Sequence, residues 1–110
     1  HSNKGFYHEG EIIRKFIATQ PNMYIVCGDR HWQHVTKHQD YGIVEFSIGA
    51  NSDDHASGWN QEDVRPEHLY LNVVGGTMTV TIDPFDGGSI SVKHYSVDGV
   101  QLNEFKSKVK

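Results

Sequence analysis

The densest group of chemically active side chains lies in residues 27–34, "CGDRHWQH", directly behind the apolar run "MYIV". Asp29 and His31 stand two positions apart, and residues i and i+2 of an extended chain point to the same side. A carboxylate oxygen and an imidazole nitrogen placed in this way are suitable ligands for zinc, manganese or iron. The same spacing also fits an Asx-type turn at Asp29 beside a surface histidine, because Asp-x-His occurs often by chance. Spacing alone therefore leaves a metal site and a turn both open.

Each of the neighbouring residues could have a role in ligand binding or a purely structural role. Arg30 could bind a phosphate through two hydrogen bonds, or it could form a surface ion pair. His34 and His38 would share one face of a strand, where a solvated surface is favoured over a second pair of ligands. Trp32 could stack on a substrate, but core packing is the more common role of such a side chain.

Four further residues complete the set of candidates. Asp53 and His55 repeat the Asp-x-His spacing within "SDDHASGW", although an acidic, solvated loop with a helix cap explains this equally well. His94 lies on an otherwise apolar strand face, which favours a hydrogen-bonded core histidine. Cys27 is the only cysteine, cannot form an internal disulfide, and is surrounded by residues typical of a buried, unreactive thiol.

Composition limits the class of protein. The chain has 110 residues, 36% of them apolar, which suits one small globular domain. The net charge of −4 contains no block of like charge, which argues against nucleic-acid and membrane-surface partners. No apolar run approaches the roughly 20 residues of a membrane span. Eight histidines spread along the chain are the unusual feature, and they suit either metal binding or a polar surface.

The first half of the chain predicts one helix and three strands. The spacing of one helix face is kept by Ile12, Ile13, Phe16 and Ile17. We therefore expect a short helix over residues 10–18. The continuously apolar "MYIVC" predicts a strand covered on both faces. "QHVTKH" and "IVEFSIG" predict a hairpin around "QDYG", in which Glu45 and Ser47 lie on the wetter face.

The second half predicts a long loop and a β-meander. Residues 50–67 show no periodicity, and loops of this length are usually functional or disordered. Trp59 and Val64 provide two apolar anchors, which favours an ordered loop. "LYLNVV", "TMTVTID", "SISVKHY" and "VQLNEF" predict three or four antiparallel strands, with a hairpin turn at Asp98-Gly99. The expected fold is α+β, with one N-terminal helix and a mainly antiparallel sheet in a single domain or fragment spanning residues 1–110.

An ordered series of motifs runs through the chain. "GDRHWQ" ends an apolar strand, and "VEFSIGANSDDHASGW", "HLYLNVVGGTMTVTI" and "VKHYSVDGVQLNEF" follow in turn. This order resembles the C-terminal part of the PhoD-like (alkaline phosphatase D) metallophosphoesterases over residues 16–105. The resemblance implies the calcineurin-like phosphoesterase fold, a β-sandwich flanked by helices with a two-metal site. The chain would form the C-terminal half of that β-sandwich.

The resemblance also implies roles for individual residues. Residues 28–31 match the family's last metal motif, G-D-x-H, so His31 would be a metal ligand and Asp29 would lie on or near the second metal. These two are also the candidate catalytic residues. Arg30 and His55 are candidates for substrate binding, to which the resemblance gives no equally firm role. The implied cofactors are divalent or trivalent ions (iron, calcium, zinc or manganese), the implied partner is a phosphate ester, and the implied location is secreted or periplasmic.

The chain departs from the family pattern at the earlier motifs. G-D-x-x-D and G-N-H, which carry the family's other ligands, do not occur in the 110 residues. Two ligands are fewer than the three or four that each ion requires. We therefore expect a C-terminal portion of a metal-dependent phosphoesterase that is inactive alone, carries no catalytic metal, and self-associates through uncovered apolar surface. The alternative is a non-catalytic, β-rich interaction domain with a His-rich edge.

Overall fold

The computed structural model describes residues 4–110, which form one α-helix, seven β-strands and two short 3₁₀ turns. The elements are α1 (Tyr7–Ala18), β1 (Ile25–Cys27), β2 (Gln33–Lys37), β3 (Val44–Ile48), β4 (His68–Asn72), β5 (Thr77–Asp83), β6 (Ser89–Tyr95) and β7 (Gln101–Lys108), with 3₁₀ turns at Lys4–Phe6 and Asp53–His55. The predicted α+β class with a mainly antiparallel arrangement is confirmed. Within residues 4–110, no helix combines the length and the apolar character needed to cross a membrane.

The first sheet contains β1 to β4 in the order β1-β3-β2-β4. β2 and β3 form the predicted antiparallel hairpin, whose turn is closed by hydrogen bonds from His38 N to Ile43 O and from Gly42 N to His38 O, both 2.8 Å. β4 pairs antiparallel with the other side of β2. β1 pairs with β3 in parallel, which makes β1 and β4 the two edge strands.

The second sheet is a meander of three of the four predicted strands, with β6 between β5 and β7. The first predicted strand, "LYLNVV", does not join it, because β4 pairs with β2 in the first sheet. The turn between β6 and β7 is closed by hydrogen bonds from Gly99 N to Ser96 O, 3.0 Å, and from Ser96 N to Val100 O, 2.8 Å. Gly99 has a φ of 81°, a left-handed conformation that glycine adopts without steric cost. The Asp98-Gly99 hairpin prediction is therefore confirmed.

The core lies between the two sheets. Its centre consists of Val35, Val44, Phe46 and Val92. Phe46 is fully buried, and its ring contacts the rings of Phe105 and Tyr24 at centroid distances of 5.1 and 6.0 Å. Gln33 Nε2 donates to the carbonyl of Tyr95 over 3.0 Å, so a buried polar bridge also connects the sheets. Glu45 and Ser47 alternate with Val44 and Phe46 and point away from this core, as the sequence predicts. The prediction that their face is the wetter one is wrong for Ser47, which is fully buried and donates its hydroxyl to the carbonyl of Trp32.

Two expectations about the N-terminal elements need correction. The helix begins at Tyr7 rather than at residue 10, because the 3₁₀ turn Lys4–Phe6 leads directly into it. "MYIVC" is not covered on both faces, since β1 has only three residues and Val26 is 58% exposed. As an edge strand, β1 reaches only part of the core, and Tyr24 just before it packs there instead.

The long loop over residues 50–67 is ordered, but only one of its two predicted anchors is correct. Trp59 stacks on Trp32 with ring centroids 5.5 Å apart. Val64 is 63% exposed and does not anchor the loop. A second fixed point is Asp53, whose Oδ1 accepts a hydrogen bond of 2.9 Å from the backbone N–H of Gly75.

Candidate metal centre

The GDRH segment contains a three-residue turn that follows β1. The backbone N–H of Arg30 donates to the carbonyl of Gly28 over 2.7 Å and closes the turn around Asp29. Asp29 has a φ of 66°, in the left-handed region that residues with side chains rarely occupy. A hydrogen bond from i+2 to i around a positive φ is the mark of the rarer, strained form of γ-turn. The backbone at Asp29 is therefore a turn and not the extended chain on which the i, i+2 argument relied.

The side chains of the four predicted site residues, Asp29, Arg30, His31 and His55, are all exposed. His55 Nδ1 lies 2.9 Å from Ser52 Oγ, within its own loop. The carbonyl of His31 accepts a hydrogen bond of 3.0 Å from Ser57 N, which ties the GDRH segment to the loop that carries His55. The structure thus brings the two Asp-x-His segments into neighbouring loops.

The fit of Asp29 and His31 to a two-metal centre is incomplete. Within residues 4–110, neither residue belongs to a group of three or more side chains whose donor atoms converge on one point. An ion in a protein centre takes about three or four protein ligands. The pair can therefore be at most part of the ligand set that the resemblance implies.

A cleft of about 630 Å³ lies over the face of the first sheet that points away from the core. It is lined by Tyr7, Glu11, Arg14, Ile25, Arg30, Thr36, His38, Gln39, Asp40, Tyr41, Ile43, Glu45, Trp59, Arg65 and Glu67. Arg30 is the one predicted site residue in this lining. The lining contains three arginines and four carboxylates, and two of the arginines are already paired, Arg14 with Glu11 over 2.8 Å and Arg65 with Asp63 over 3.0 Å. Arg30 is therefore the candidate donor for an anionic ligand.

Two of these arginines form cation–π contacts with tryptophan rings. The guanidinium of Arg30 lies 5.6 Å from the ring centre of Trp32, and that of Arg65 lies 4.7 Å from the ring centre of Trp59. The two indoles stack on each other with their planes inclined by 28°. Trp32 is buried, as its predicted core role requires. The cation–π contacts restrict both guanidinium groups without using their hydrogen-bond donors.

A second group of donor atoms lies on the same outer face of the first sheet. We call Cys27, His34 and Glu45 the ligand cluster, since their sulfur, nitrogen and oxygen donor atoms all lie within 4.8 Å of one another. The residues come from three adjacent strands. Cys27 and His34 both stand opposite Ser47 of β3, and Glu45 is the next outward-facing residue of that strand.

The distances within the ligand cluster are close to those of hydrogen bonds. Cys27 Sγ donates to Glu45 Oε1 over 3.7 Å, and His34 Nε2 lies 3.9 Å from the same oxygen. Burial lowers the pKa of His34 to about 4, although the Glu45 charge opposes this shift, so the imidazole is neutral at pH 7. Burial, together with the Glu45 charge, raises the pKa of the Cys27 thiol. The ligand cluster therefore contains a neutral imidazole and a protonated thiol beside a carboxylate.

The histidine predictions for β2 are only partly correct. His34 is 1% exposed, so the solvated strand face predicted for it is wrong. The reason is that β2 lies between β3 and β4 and its residues are covered on both faces. His38, just beyond the strand, is partly exposed and stacks on Tyr41 with a centroid distance of 4.9 Å.

Sequence reasoning missed the ligand cluster for a specific reason. Alternation in β3 correctly places Glu45 on the outer face, and the hairpin signal correctly predicts that β2 lies beside β3. The parallel pairing of β1 with β3 has no local signal, because it joins residues 20 positions apart without a tight turn. Without that pairing, Cys27 cannot be placed next to Glu45.

Comparison with known proteins adds no assignment. No family model matches the chain, and no solved structure matches it.

Proposed function

We propose that this chain is the C-terminal portion of a metal-dependent phosphoesterase and supplies that enzyme's last metal-ligand motif, residues 28–31. In this proposal His31 is a metal ligand, and Asp29 binds the metal directly or through a water molecule. Arg30 binds an oxygen of the phosphate ester. The remaining ligands come from an upstream segment, and the chain alone is inactive.

The strained turn at Asp29 is the observation that carries the proposal. A non-glycine residue at φ 66° is unfavourable, and such positions are concentrated at functional sites, where surrounding structure holds them. The turn lies between the end of β1 and the arginine-lined cleft. Asp29 is one of three non-glycine residues with a positive φ within residues 4–110, the others being Asn22 and Asp86, and it lies in the segment that carries the metal-binding residue types.

The position of Arg30 supports the phosphate ester as the ligand. Its guanidinium lines the cleft and rests on Trp32, which leaves its N–H groups directed to other partners. Planar, paired N–H donors match the oxygens of a phosphoryl group. Metal ions in such centres polarise the phosphoryl oxygens and activate water, and the arginine would orient the ester beside them.

The test uses the longer protein that joins this chain to the segment with the other ligands. Hydrolysis of p-nitrophenyl phosphate is measured with added manganese, iron, calcium or zinc. We expect His31→Ala to lower kcat by orders of magnitude, because loss of a ligand weakens the ion and misplaces the attacking water. Asp29→Ala should lower kcat less strongly than His31→Ala.

The matched control is His8→Ala, which removes an exposed histidine of α1 outside the cleft lining. This variant should retain wild-type turnover. Near-wild-type turnover of His31→Ala with unchanged metal content would contradict the proposal, as would an active 110-residue chain.

The second candidate function is a non-catalytic interaction domain, for which the chain offers an exposed surface. Ile12, Ile13 and Phe16 on α1 are each more than half exposed, and β1 is an open edge strand. Edge strands and exposed apolar faces pair readily with a second copy of the same chain. A phosphoesterase fragment is expected to self-associate through the same surface, so a dimer alone does not distinguish the two functions. Sedimentation equilibrium of the purified chain tests the self-association: a dimer that Ile12→Asp or Phe16→Asp dissociates places the interface on α1, and a monomer at high concentration contradicts it. The alternative function is supported if the chain dimerises and the longer protein has no phosphoesterase activity, and it is contradicted if the longer protein is active.

A further inference from the structure

We infer that the ligand cluster, Cys27, His34 and Glu45, is a binding site for a zinc-type divalent cation, separate from the Asp29–His31 pair. The site would leave one coordination position open toward the cleft. This inference does not depend on the proposed function, because it concerns different residues on the outer face of the first sheet.

The separations of the donor atoms fit a tetrahedral ion. With ordinary zinc–ligand bond lengths of 2.0–2.3 Å, adjacent ligands of a tetrahedral ion lie about 3.4–3.7 Å apart. In the structure, the separations are 3.7 Å for Cys27 Sγ to Glu45 Oε1 and 3.9 Å for His34 Nε2 to Glu45 Oε1. The third separation is below 4.8 Å. Side-chain adjustments of well under an ångström to about an ångström would complete the geometry.

The donor types select the ion. A thiolate and an imidazole favour zinc over calcium and magnesium, which prefer oxygen ligands. A set of one cysteine, one histidine and one glutamate provides three protein ligands, the number found in zinc sites that keep a fourth position for water or substrate. Glu45 lines the cleft, so a path from solvent to that position exists.

Charge balance also favours binding at this depth. The cation would displace the thiol proton of Cys27, which is released to solvent, and the sulfur would bind as a thiolate. The thiolate and the Glu45 carboxylate together carry −2, which the divalent ion neutralises, while His34 binds as the neutral imidazole. A half-buried site with no net charge avoids the large cost of burying an unpaired charge.

The three ligands are held by regular structure. Each belongs to a strand of the first sheet, and their relative positions follow from the β1–β3 and β2–β3 registers. The hydroxyl of Ser47, which stands opposite both Cys27 and His34, donates to the carbonyl of Trp32 over 3.0 Å. A site on paired strands is more rigid than one on loops, which reduces the ordering cost of binding.

The test is titration of the 110-residue chain with Co²⁺, followed by competition with Zn²⁺. We expect one equivalent of Co²⁺ to produce a sulfur-to-cobalt charge-transfer band in the near ultraviolet and visible bands typical of four-coordination. Zn²⁺ should abolish these bands at one equivalent. The charge-transfer band reports a cysteine ligand directly, which activity measurements cannot do.

The same titration of variants identifies which residues bind the ion. Cys27→Ser should abolish the charge-transfer band, and Glu45→Gln should weaken binding by at least roughly 10–100-fold, since even changes to groups that only orient a ligand cost that much. Both variants are nearly isosteric, and circular dichroism checks that they remain folded. The matched controls His8→Ala and Asp54→Ala, which remove an exposed histidine and an exposed aspartate outside both sites, should leave the band and the affinity within about twofold of wild type.

The outcomes separate the two sites. A band that persists in Cys27→Ser, or no cobalt binding by the folded wild-type chain, overturns the inference. Binding that is lost in His31→Ala but unchanged in Glu45→Gln would assign the ion to the GDRH segment and also overturn it. Phosphoesterase activity of His31→Ala tests the proposed function, whereas the cobalt titration tests the ligand cluster, so the failure of one can be told from the failure of the other.

Discussion

The imidazole of His94 in the second sheet donates a hydrogen bond of 2.8 Å from Nε2 to the backbone carbonyl of Ser47 in the first sheet. His94 is fully buried, as the sequence predicts for a core histidine. Among residues 4–110, no hydrogen-bond partner is found for its Nδ1. A second proton would therefore enter the core without an acceptor, and the neutral tautomer with the proton on Nε2 is the one that fits.

We expect the folded protein to become less stable as the pH is lowered, because of this histidine. Burial lowers the pKa of His94 below its ordinary 6.5, a shift that the Ser47 carbonyl only partly offsets. The unfolded chain regains the ordinary pKa and binds the extra proton more readily. The contribution to stability is thus fully present above about pH 6.5 and is lost as the pH falls toward the pKa of the folded state.

Urea unfolding of wild type and His94→Gln, followed at several pH values, checks this prediction. Gln can still donate to the Ser47 carbonyl but does not titrate. We expect the free energy of unfolding of the variant to depend less steeply on pH between about 7 and 5 than that of wild type. Equal slopes for the two proteins would contradict the assignment of this pH dependence to His94.

Alanine variants are usually more stable than glycine variants, but the left-handed turn at Asp29 predicts the opposite order at that position. A left-handed residue with a Cβ costs about 1–2 kcal/mol relative to glycine. Asp29→Gly should therefore be more stable than Asp29→Ala by about 1 kcal/mol. At Asp54, which is exposed in the 3₁₀ turn and has no positive φ, the alanine variant should be the more stable one.

Thermal and urea unfolding of the four variants measure this double difference. The prediction fails if alanine is preferred at both positions. Because both positions are exposed aspartates, the loss of a surface charge is common to the two pairs and cancels in the comparison.

Alanine substitutions at Gly75 and Gly28, two glycines with ordinary φ values, distinguish the effect of tight packing on stability from the effect of backbone flexibility. A Cβ on Gly75 would lie 2.3 Å from the backbone carbon of Ser52, whereas a Cβ on Gly28 would meet no atom within 4 Å. Gly75→Ala should therefore destabilise the protein by about 1–3 kcal/mol through overpacking. Gly28→Ala should be neutral or stabilising by up to about 1 kcal/mol, since it restricts the unfolded chain.

Urea unfolding measures both glycine variants. A Gly75→Ala protein as stable as Gly28→Ala would mean that the segment before β5 does not press against the loop at residues 50–67.

Burial also changes the expectation for His34. Replacing a solvated histidine by alanine would change the stability little, but the side chain of His34 is buried. We expect His34→Ala to lower the free energy of unfolding by roughly 1–3 kcal/mol, while the exposed His31→Ala should stay within about 0.5 kcal/mol of wild type. Chemical unfolding without added metal is the measurement, and equal stability of the two variants would contradict the burial of His34.

Local patterns were sufficient for much of the fold. Alternation identifies the core face of β3, and the Asp98-Gly99 dipeptide identifies the β6–β7 turn, because both signals act between neighbouring residues. The exposure of Val26 and Val64 was not predictable, since it depends on which elements pack beside them. Residue type alone does not decide this.

The same limit applies to the candidate sites. The sequence identifies Asp29 and His31 by type and spacing, but the left-handed backbone at Asp29 has no glycine to indicate it. The ligand cluster requires the registers of two strand pairs. Only the antiparallel pair between β2 and β3 has a sequence signal, so the position of Cys27 relative to Glu45 appears only in the folded chain.

The order of strands in the first sheet has a consequence for how the chain folds. The second sheet needs only two short connections, residues 84–88 and 96–100, whereas β4 reaches β2 only after the loop that follows β3 is closed. Closing longer loops costs more chain entropy, and contacts distant in sequence slow folding. The β5–β7 meander should therefore acquire amide hydrogen-exchange protection before β1 and β4 during refolding. The ligand cluster, which needs β1 in place, would be among the last parts of the protein to assemble.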